Sequence, residues 1–589
     1  MIILGVSSQH DAGAAVLIDG TIRAAINEER LNREKLYWGV PARSVAEVLK
    51  VAGARVADVD AVAFANLMGG ARVDSFAAAA AEPVMRAFQE AAEWGIGGLV
   101  GGTQAGVHFI RAVYPYLGRM NRVRGETETF LRNGLGFSGE IAPRDHHLCH
   151  AASAYFTSGW DLCTVVTMDA AGDGYCSRVY AGRGGRLVPV HQVPFYHSIA
   201  SYYGYATHLC GFTEGRHEGK VTGLAAHGNP ERTAAVFTRM IAYDPQRFQH
   251  VNRGGYLMRA IGRLRRDLAG APREDIAAGA QRHLEEQMVP YVRDAVRRTG
   301  QGNLTLAGGL FANVKLNQRL RELPEVTGIW IHPHMGDGGL AVGAALALWV
   351  ERAPTPAAPG KPEAAPAHGV GRWADVYLGP AWSSAEVEWT LQATPGVSWR
   401  RRPDPEREIA RLLAAGKVVA RCAGRMEYGP RALGNRSILY QATDPTVNDW
   451  LNARLRRTEF MPFAPVLLAE DAPDYLKDFD GRSSYAAEFM TITYDVTDRC
   501  RREAPAVVHV DGTARPQVVT AGGNPPLRRI LEHYKALTGL AVLINTSFNM
   551  HEEPIVCSPQ DALRAFLDGR LDVLALEEFI VERKEAGQA

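Results

Sequence analysis

At 589 residues, with 46% apolar and 22% charged side chains, the chain is long enough for two or more domains with large cores and has the make-up of an ordinary globular protein. Lys plus Arg number 65 against 64 Asp plus Glu, a formal charge of +1 that argues against a nucleic-acid binder held mainly by bulk charge. Its seven cysteines form no CxxC pair and no window holds the run of about 18 apolar residues that a membrane helix needs, so neither a zinc ribbon, a disulfide framework nor a membrane span is expected, and a cytoplasmic location is.

In chain order, Ile2 to Val6 reads as a first strand: it lacks the basic start and long apolar core of a signal peptide. A polar turn with His10 and Asp11 follows, then a strand from Ala14 to Ile18 closed by the Asp19-Gly20 hairpin turn. Residues 40–60 and 72–135 are alanine-rich and helical in pattern, suited to packing or to shaping an acceptor pocket. In DHHLCHAASAYF, His146 and His150 lie four apart on a helix-favouring stretch, so both imidazoles project from one face; His147 is given no role. CTVVTMDAAGDG reads as a buried strand ending at Asp169 and a glycine turn, and IHPHMGDGG later runs a strand into Asp337 at the mouth of a buried helix. Two imidazoles and two carboxylates make a His2Asp2 set for a divalent metal, a donor set that by itself leaves iron, zinc and manganese open.

The strand, acidic turn, strand plan of residues 2–18 recurs over Val165 to Ala181, as in the duplicated actin and sugar-kinase architecture, where glycine turns bring backbone N–H groups to phosphates. EGRHEGKVTGLAAHG supplies Lys220 and Gly223, and the Gly308-Gly309 turn leads into a helix whose first turn offers Asn313; these are the candidate nucleotide contacts. No GxxxxGK[ST] is present, so a P-loop has no support. The expected division is residues 1–351, a Pro/Ala-rich linker over 352–374, and an α/β unit over 375–589.

That last unit holds an arginine constellation. GRMEYGPRALGNRSIL places Arg425, Arg431, Arg436 and Ser437 in and after a glycine-punctuated loop without acidic partners close by in sequence other than Glu427. Arg456 and Arg457, Arg515, then Ser547 and Asn549 follow, a set suited to a polyanion and to holding a carbonyl or phosphate oxygen.

Ten ordered motifs, among them HDAGAAVLIDG, DHHLCHAASAY, MDAAGDG, EGKVTGLAAHG, GDGGLAVGAAL, GRMEYGPRALGNRSIL and HVDGTARPQ, make the chain resemble the O-carbamoyltransferases of nodulation-factor and antibiotic biosynthesis. The resemblance implies an actin-like N-terminal domain with iron or a similar ion on His146, His150, Asp169 and Asp337, and a nucleotide site at Lys220, Gly309 and Asn313. It implies His10 near the acceptor hydroxyl, and a YrdC-like C-terminal domain that makes carbamoyl-adenylate from carbamoyl phosphate and Mg2+-bound ATP, with Ser547 and Asn549 matching its SxN signature. The KxR signature departs, reading Arg456-Arg457-Thr458, and Met461 replaces an arginine before PFAP. The expected acceptor is a hydroxylated small molecule, with no nucleic acid or membrane partner and a homo-oligomer possible. The alternatives are a tRNA threonylcarbamoyl-transfer-like enzyme and an actin-fold nucleotide-binding or kinase protein.

Overall fold

The computed structural model describes residues 1–68, 101–113, 122–353, 371–456, 463–481 and 483–584. Residues 72–100 and 114–121 of the expected helical insertion, most of the 352–374 linker, and Arg457 lie outside the described residues. The chain forms two units: Met1–Arg23 with Leu36–Trp373, and Ala24–Lys35 with Ala374–Ala589. A single cut after residue 351 therefore omits one feature, the early segment that joins the second unit.

The chain passes first through β1 (Ile2–Ser7), β2 (Gly13–Ile18), β3 (Thr21–Asn27), β4 (Ala61–Ala65) and β5 (Glu140–Arg144), all in the first unit except the last four residues of β3, which pair in its sheet but group with the second unit. It continues through β6 (Cys163–Gly172), β7 (Tyr175–Arg183), β8 (Arg186–Pro194), a hairpin of β9 (Ile241–Asp244) and β10 (Gln249–Asn252), then β11 (Asn303–Ala307) and β12 (Gly328–Ile331). One sheet has the order β3-β2-β1-β4-β5 and the other β8-β7-β6-β11-β12. In each, an antiparallel hairpin begins the unit and the first strand pairs in parallel with a later one. The same strand order twice is the duplicated actin/sugar-kinase architecture, and it makes β1 and β6 equivalent. The parallel strands β4 and β12 are buried at every residue, which is why AVAFA and GIWI are continuous apolar runs instead of alternating ones.

The helix Leu340–Arg352 is buried from Leu340 to Leu348 because it packs on both β1 and the helix His146–Ser158. Two glycines allow this approach. A Cβ on Gly5 would strike the Ala341 carbonyl, and one on Gly343 would strike the Cys149 carbonyl. Since neither obstacle is a flexible side-chain end, Gly343→Ala is expected to cost about 3 kcal/mol, measured by urea unfolding.

Four histidines of this unit, His147, His250, His283 and His332, are at most 2% exposed, and burial pushes each imidazole down to about 3. They fold neutral, whereas in the unfolded chain they take up protons near pH 6.5, so their contribution is present above that pH and is lost as pH falls toward 3. Summed over the four, stability should drop by roughly 4 kcal/mol between pH 6.5 and 5.5, read from urea midpoints at the two values.

The second unit is built on an eight-stranded sheet whose members are β13 (Val397–Arg401), β14 (Val419–Cys422), β15 (Arg436–Gln441), β16 (Ala464–Leu468), β19 (Gln517–Val519), β20 (Val542–Ser547), β21 (Val573–Leu576) and β22 (Phe579–Arg583). Its order is β13-β22-β21-β14-β15-β20-β16-β19, and β17 (Tyr494–Asp495) and β18 (Thr513–Ala514) form a separate short ladder. Helices Pro405–Ala414 and Pro525–Thr538 supply Ile409, Leu413, Leu527 and Ile530 to the core against Val419, Leu439 and Leu543. This leaves the arginine run in the connection between β14 and β15, with Ser437 opposite Ser547 across β15 and β20.

Candidate functional site

In the first unit, Asp145 caps the helix His146–Ser158 by accepting from Leu148 N, so the helix starts where the sequence needs its two imidazoles on one face. Asp169 arrives from β6, which continues to Gly172 with an irregularity after Met168 instead of ending at the aspartate. Asp337 also differs from the strand-end expectation: β12 stops at Ile331, and Asp337 opens the short turn that leads into Leu340–Arg352. Even so, one ligand atom from each of His146, His150, Asp169 and Asp337 lies within 4.8 Å of all the others. His150 Nε2 is 2.7 Å and His146 Nε2 3.3 Å from Asp169 Oδ2, and Asp337 Oδ1 is 3.5 and 3.7 Å from the same two nitrogens. Burial opposes charge on His150, but Asp169 outweighs it and the imidazole is pushed up to about 9. Burial likewise opposes the Asp169 carboxylate, and His150 and His146 hold its pKa well below the ordinary value. A cluster of two nitrogen and two oxygen donors, buried except at the partly exposed Asp337, fits a divalent cation with one side open.

The surroundings fix this geometry with residues that the sequence did not reveal. Asn66 Oδ1 lies 2.6 Å from His146 Nδ1, which assigns the proton to Nδ1 and leaves Nε2 as the donor. Asp173 accepts from the backbone N–H groups of Leu67, Met68 and His146, and Arg111 and Arg178 both pair with Asp145. A Cβ on Gly172 would overlap the His146 ring, so only glycine lets β6 approach it. His147 is not part of the cluster: it is held by Thr167 Oγ1 at 2.9 Å and the Tyr175 carbonyl at 3.1 Å.

Gly308 has φ of +108°, and a side chain there would strike the Met168 carbonyl, while Gly309 N donates to Asp169 Oδ1. This turn therefore holds the metal-ligand strand as well as offering backbone N–H groups. Asn313 is buried; it caps the helix Val314–Arg321 through Leu316 N and donates to Gln281 Oε1 at 2.7 Å. Gln281 also accepts from Tyr203, whose hydroxyl meets Thr222, so Asn313 shapes the wall through this chain of bonds. Beside Thr222, a Cβ on Gly223 would meet open space, and Lys220 lies over the Phe212 ring at 5.8 Å. His10 is edge-on to Trp38, with ring centroids 6.3 Å apart, and lies within electrostatic reach of Glu218, whose carboxyl burial raises.

In the second unit the arginines divide into two groups. Arg436, fully buried, donates to the carbonyls of Cys557, Gly424, Asn435, Ala423 and Pro380. This corrects its expected place among the anion ligands, because its guanidinium is spent on bracing the loop. Arg425 similarly donates to Leu378 O and Gly379 O, and Ser437 Oγ accepts from Gly434 N. Glu427 adds to the brace, its Oε1 accepting from the N–H groups of Leu433, Asn435 and Arg436. Arg431 and Arg515 are different: each has a buried Nε without a partner, and among the described residues neither pairs with a carboxylate. Burial pushes Arg431 down to about 10, and burial together with the charge of Arg431 holds Arg515 well below the usual range. Asn549 donates to Met550 O and Glu553 O and keeps a buried, unpartnered Oδ1. Arg456 is exposed, with a positive φ of 57°.

Among the described residues no helix is long and apolar enough to cross a membrane. A family model described as Carbamoyltransferase N-terminus matches residues 2–346, and one described as Carbamoyltransferase C-terminus matches residues 410–583. The chain is 32% identical to uncharacterized protein sll1178 of Synechocystis sp., over 99% of this chain and 96% of that one. It is 31% identical to nodulation protein NolNO of Sinorhizobium fredii, over 98% and 79%, and 33% identical to nodulation protein NolO of Bradyrhizobium diazoefficiens, over 75% and 79%. Among solved structures, (R)-2-hydroxyglutaryl-CoA dehydratase component A of Acidaminococcus fermentans aligns with 59% of this chain and 96% of its own, at 16% identity and a TM-score of 0.33; the repeated strand order carries the fold assignment. With both family models matched in order and full-length relatives above 30% identity, the chain belongs to the carbamoyltransferase family.

Proposed function

We propose that this carbamoyltransferase forms carbamoyl-adenylate from carbamoyl phosphate and Mg2+-bound ATP in its second unit, and transfers the carbamoyl group to a hydroxyl of a small natural product at the histidine–aspartate cluster of the first. The observation that carries the reading is the pair Arg431 and Arg515, half-buried cations whose enclosed Nε groups have no partner and whose charges suit an anion. In the first half-reaction, water splits carbamoyl phosphate into carbamate and phosphate. A carbamate oxygen then attacks the α-phosphorus of ATP and pyrophosphate leaves. Arg431 and Arg515 stabilise the charge that gathers on the phosphoryl oxygens, and Asn549 Oδ1 accepts from the carbamoyl NH2.

In the second half-reaction the acceptor hydroxyl attacks the carbamoyl carbon and AMP departs. His10 takes the hydroxyl proton, while Gly308, Gly309, Lys220, Gly223 and the Asn313 network seat the nucleotide. His146, His150, Asp169 and Asp337 would hold a divalent cation, for which Fe(II) is our choice, with Lewis-acid polarisation of the carbamoyl oxygen as its contribution. Support for transfer to a small molecule comes from the nodulation relatives and the near-zero net charge. The test is AMP and pyrophosphate release from ATP, followed by mass spectrometry for one added carbamoyl unit on candidate acceptors. AMP release that does not respond to carbamoyl phosphate refutes the first half.

A further inference from the structure

Residues 24–35 stand early in the sequence, within the stretch matched by the N-terminal family model, yet they are built into the second unit. Every residue from Ala24 to Arg30 is less than 9% exposed, including Glu28, Glu29 and Arg30. Charged side chains are rarely buried so completely unless their partners are specific. The arginines of this segment lead to the pocket loops.

Three attachments are made. Ala25 N donates to Leu378 O at 3.2 Å, the carbonyl that also accepts from Arg425. Arg30, paired with Glu29 at 3.4 Å, donates from Nη2 to Gly429 O at 2.8 Å. Gly429 has φ of +113° and lies two positions before Arg431, so this bond holds the turn that aims the pocket arginine. Arg33 donates to Pro554 O at 2.7 Å and Ile555 O at 2.8 Å, and its Nε is 3.5 Å from Asp561. The loop it grips is the one in which Asn549 bonds Glu553 O. The two arginines are linked, Arg33 Nη1 donating to the Arg30 carbonyl at 3.3 Å. One short segment thus clamps both loops that present Arg431 and Asn549.

We infer that residues 24–35 are a strap that completes the anion pocket, with Arg30 and Arg33 as positioning residues for carbamoyl-adenylate formation. The inference rests on the reading of that pocket given above. It makes the activating half dependent on a segment that lies within the stretch matched by the N-terminal family model.

The experiment uses the full chain and follows carbamoyl-phosphate-dependent AMP release. Wild type and Arg431→Met come first: a wild type that does not respond to carbamoyl phosphate, or an Arg431→Met with wild-type rates, overturns the pocket reading itself. Given a responsive wild type and a dead Arg431→Met, Arg30→Met and Arg33→Met should each lower kcat by about 10–100-fold, the scale on which misplacement of a reacting group acts. KM for ATP should stay within about 3-fold of wild type, and Arg30→Lys, which keeps one donor for Gly429 O, should recover most of the rate. Unchanged kcat in both methionine variants overturns the strap. So does a loss that Arg30→Lys does not relieve and that tracks the fall in thermal midpoint, the mark of a merely structural residue. If the methionine variants do not fold, Arg33→Lys decides: it cannot bridge two carbonyls as arginine does, so a folded protein with kcat reduced about 3–10-fold supports the strap and wild-type kcat overturns it.

Discussion

His150→Ala is expected to lose its metal and its transfer activity together while still forming AMP. His150 is fully buried and, of the two imidazoles, is the nearer to Asp169, at 2.7 Å. If binding of an ion to four protein ligands is worth roughly 10–16 kcal/mol, one ligand carries about 3 kcal/mol, or roughly 100-fold in affinity. Metal content by elemental analysis after dialysis should fall to below about a tenth of the wild-type value, and carbamoylated acceptor by at least about 100-fold. AMP release should remain within about 3-fold of wild type, because the first half-reaction is assigned to the other unit. Retention of ion and transfer would remove the cluster from the reaction. Loss of AMP release as well would refute the division of labour.

What could be read from the sequence follows from what each pattern encodes. The i, i+4 spacing of His146 and His150 is fixed by helix geometry, and the acidic turn after each apolar strand marks the duplicated unit, so the four cluster residues were legible before their positions were known. Asn66 was not: AVAFAN announces a buried strand and nothing more, and only the folded chain places its side chain on His146. The arginine run was half legible. Composition shows a cationic loop, but Arg436 opens β15 facing a ring of carbonyls whereas Arg431 has no such ring, a difference set by tertiary packing alone. The membership of residues 24–35 was hidden for a related reason, since nothing in NEERLNREK points to Gly429 and Pro554, the carbonyls that receive its arginines.

Arg515→Met should make the protein more stable and less active, and the opposite signs separate a binding role from a structural one. Arg515 is half-buried beside Arg431, with its Nε fully enclosed and no carboxylate partner among the described residues, and desolvation together with the Arg431 charge holds its pKa well below the usual arginine range. A desolvated guanidinium without a carboxylate costs folding free energy that a methionine of similar length does not, so the exchange should raise stability by about 1–3 kcal/mol. Catalysis should move the other way, because removing one preorganised donor from a developing anion typically costs about 100–1000-fold. Pyrophosphate should raise the thermal midpoint of wild type and raise that of the variant much less, since the ligand stabilises in proportion to its affinity for the folded state. A variant that is less stable, keeps its AMP-forming rate and responds to pyrophosphate as wild type does would make Arg515 a brace like Arg436. The activating site would then have to be sought away from the Arg431 loop.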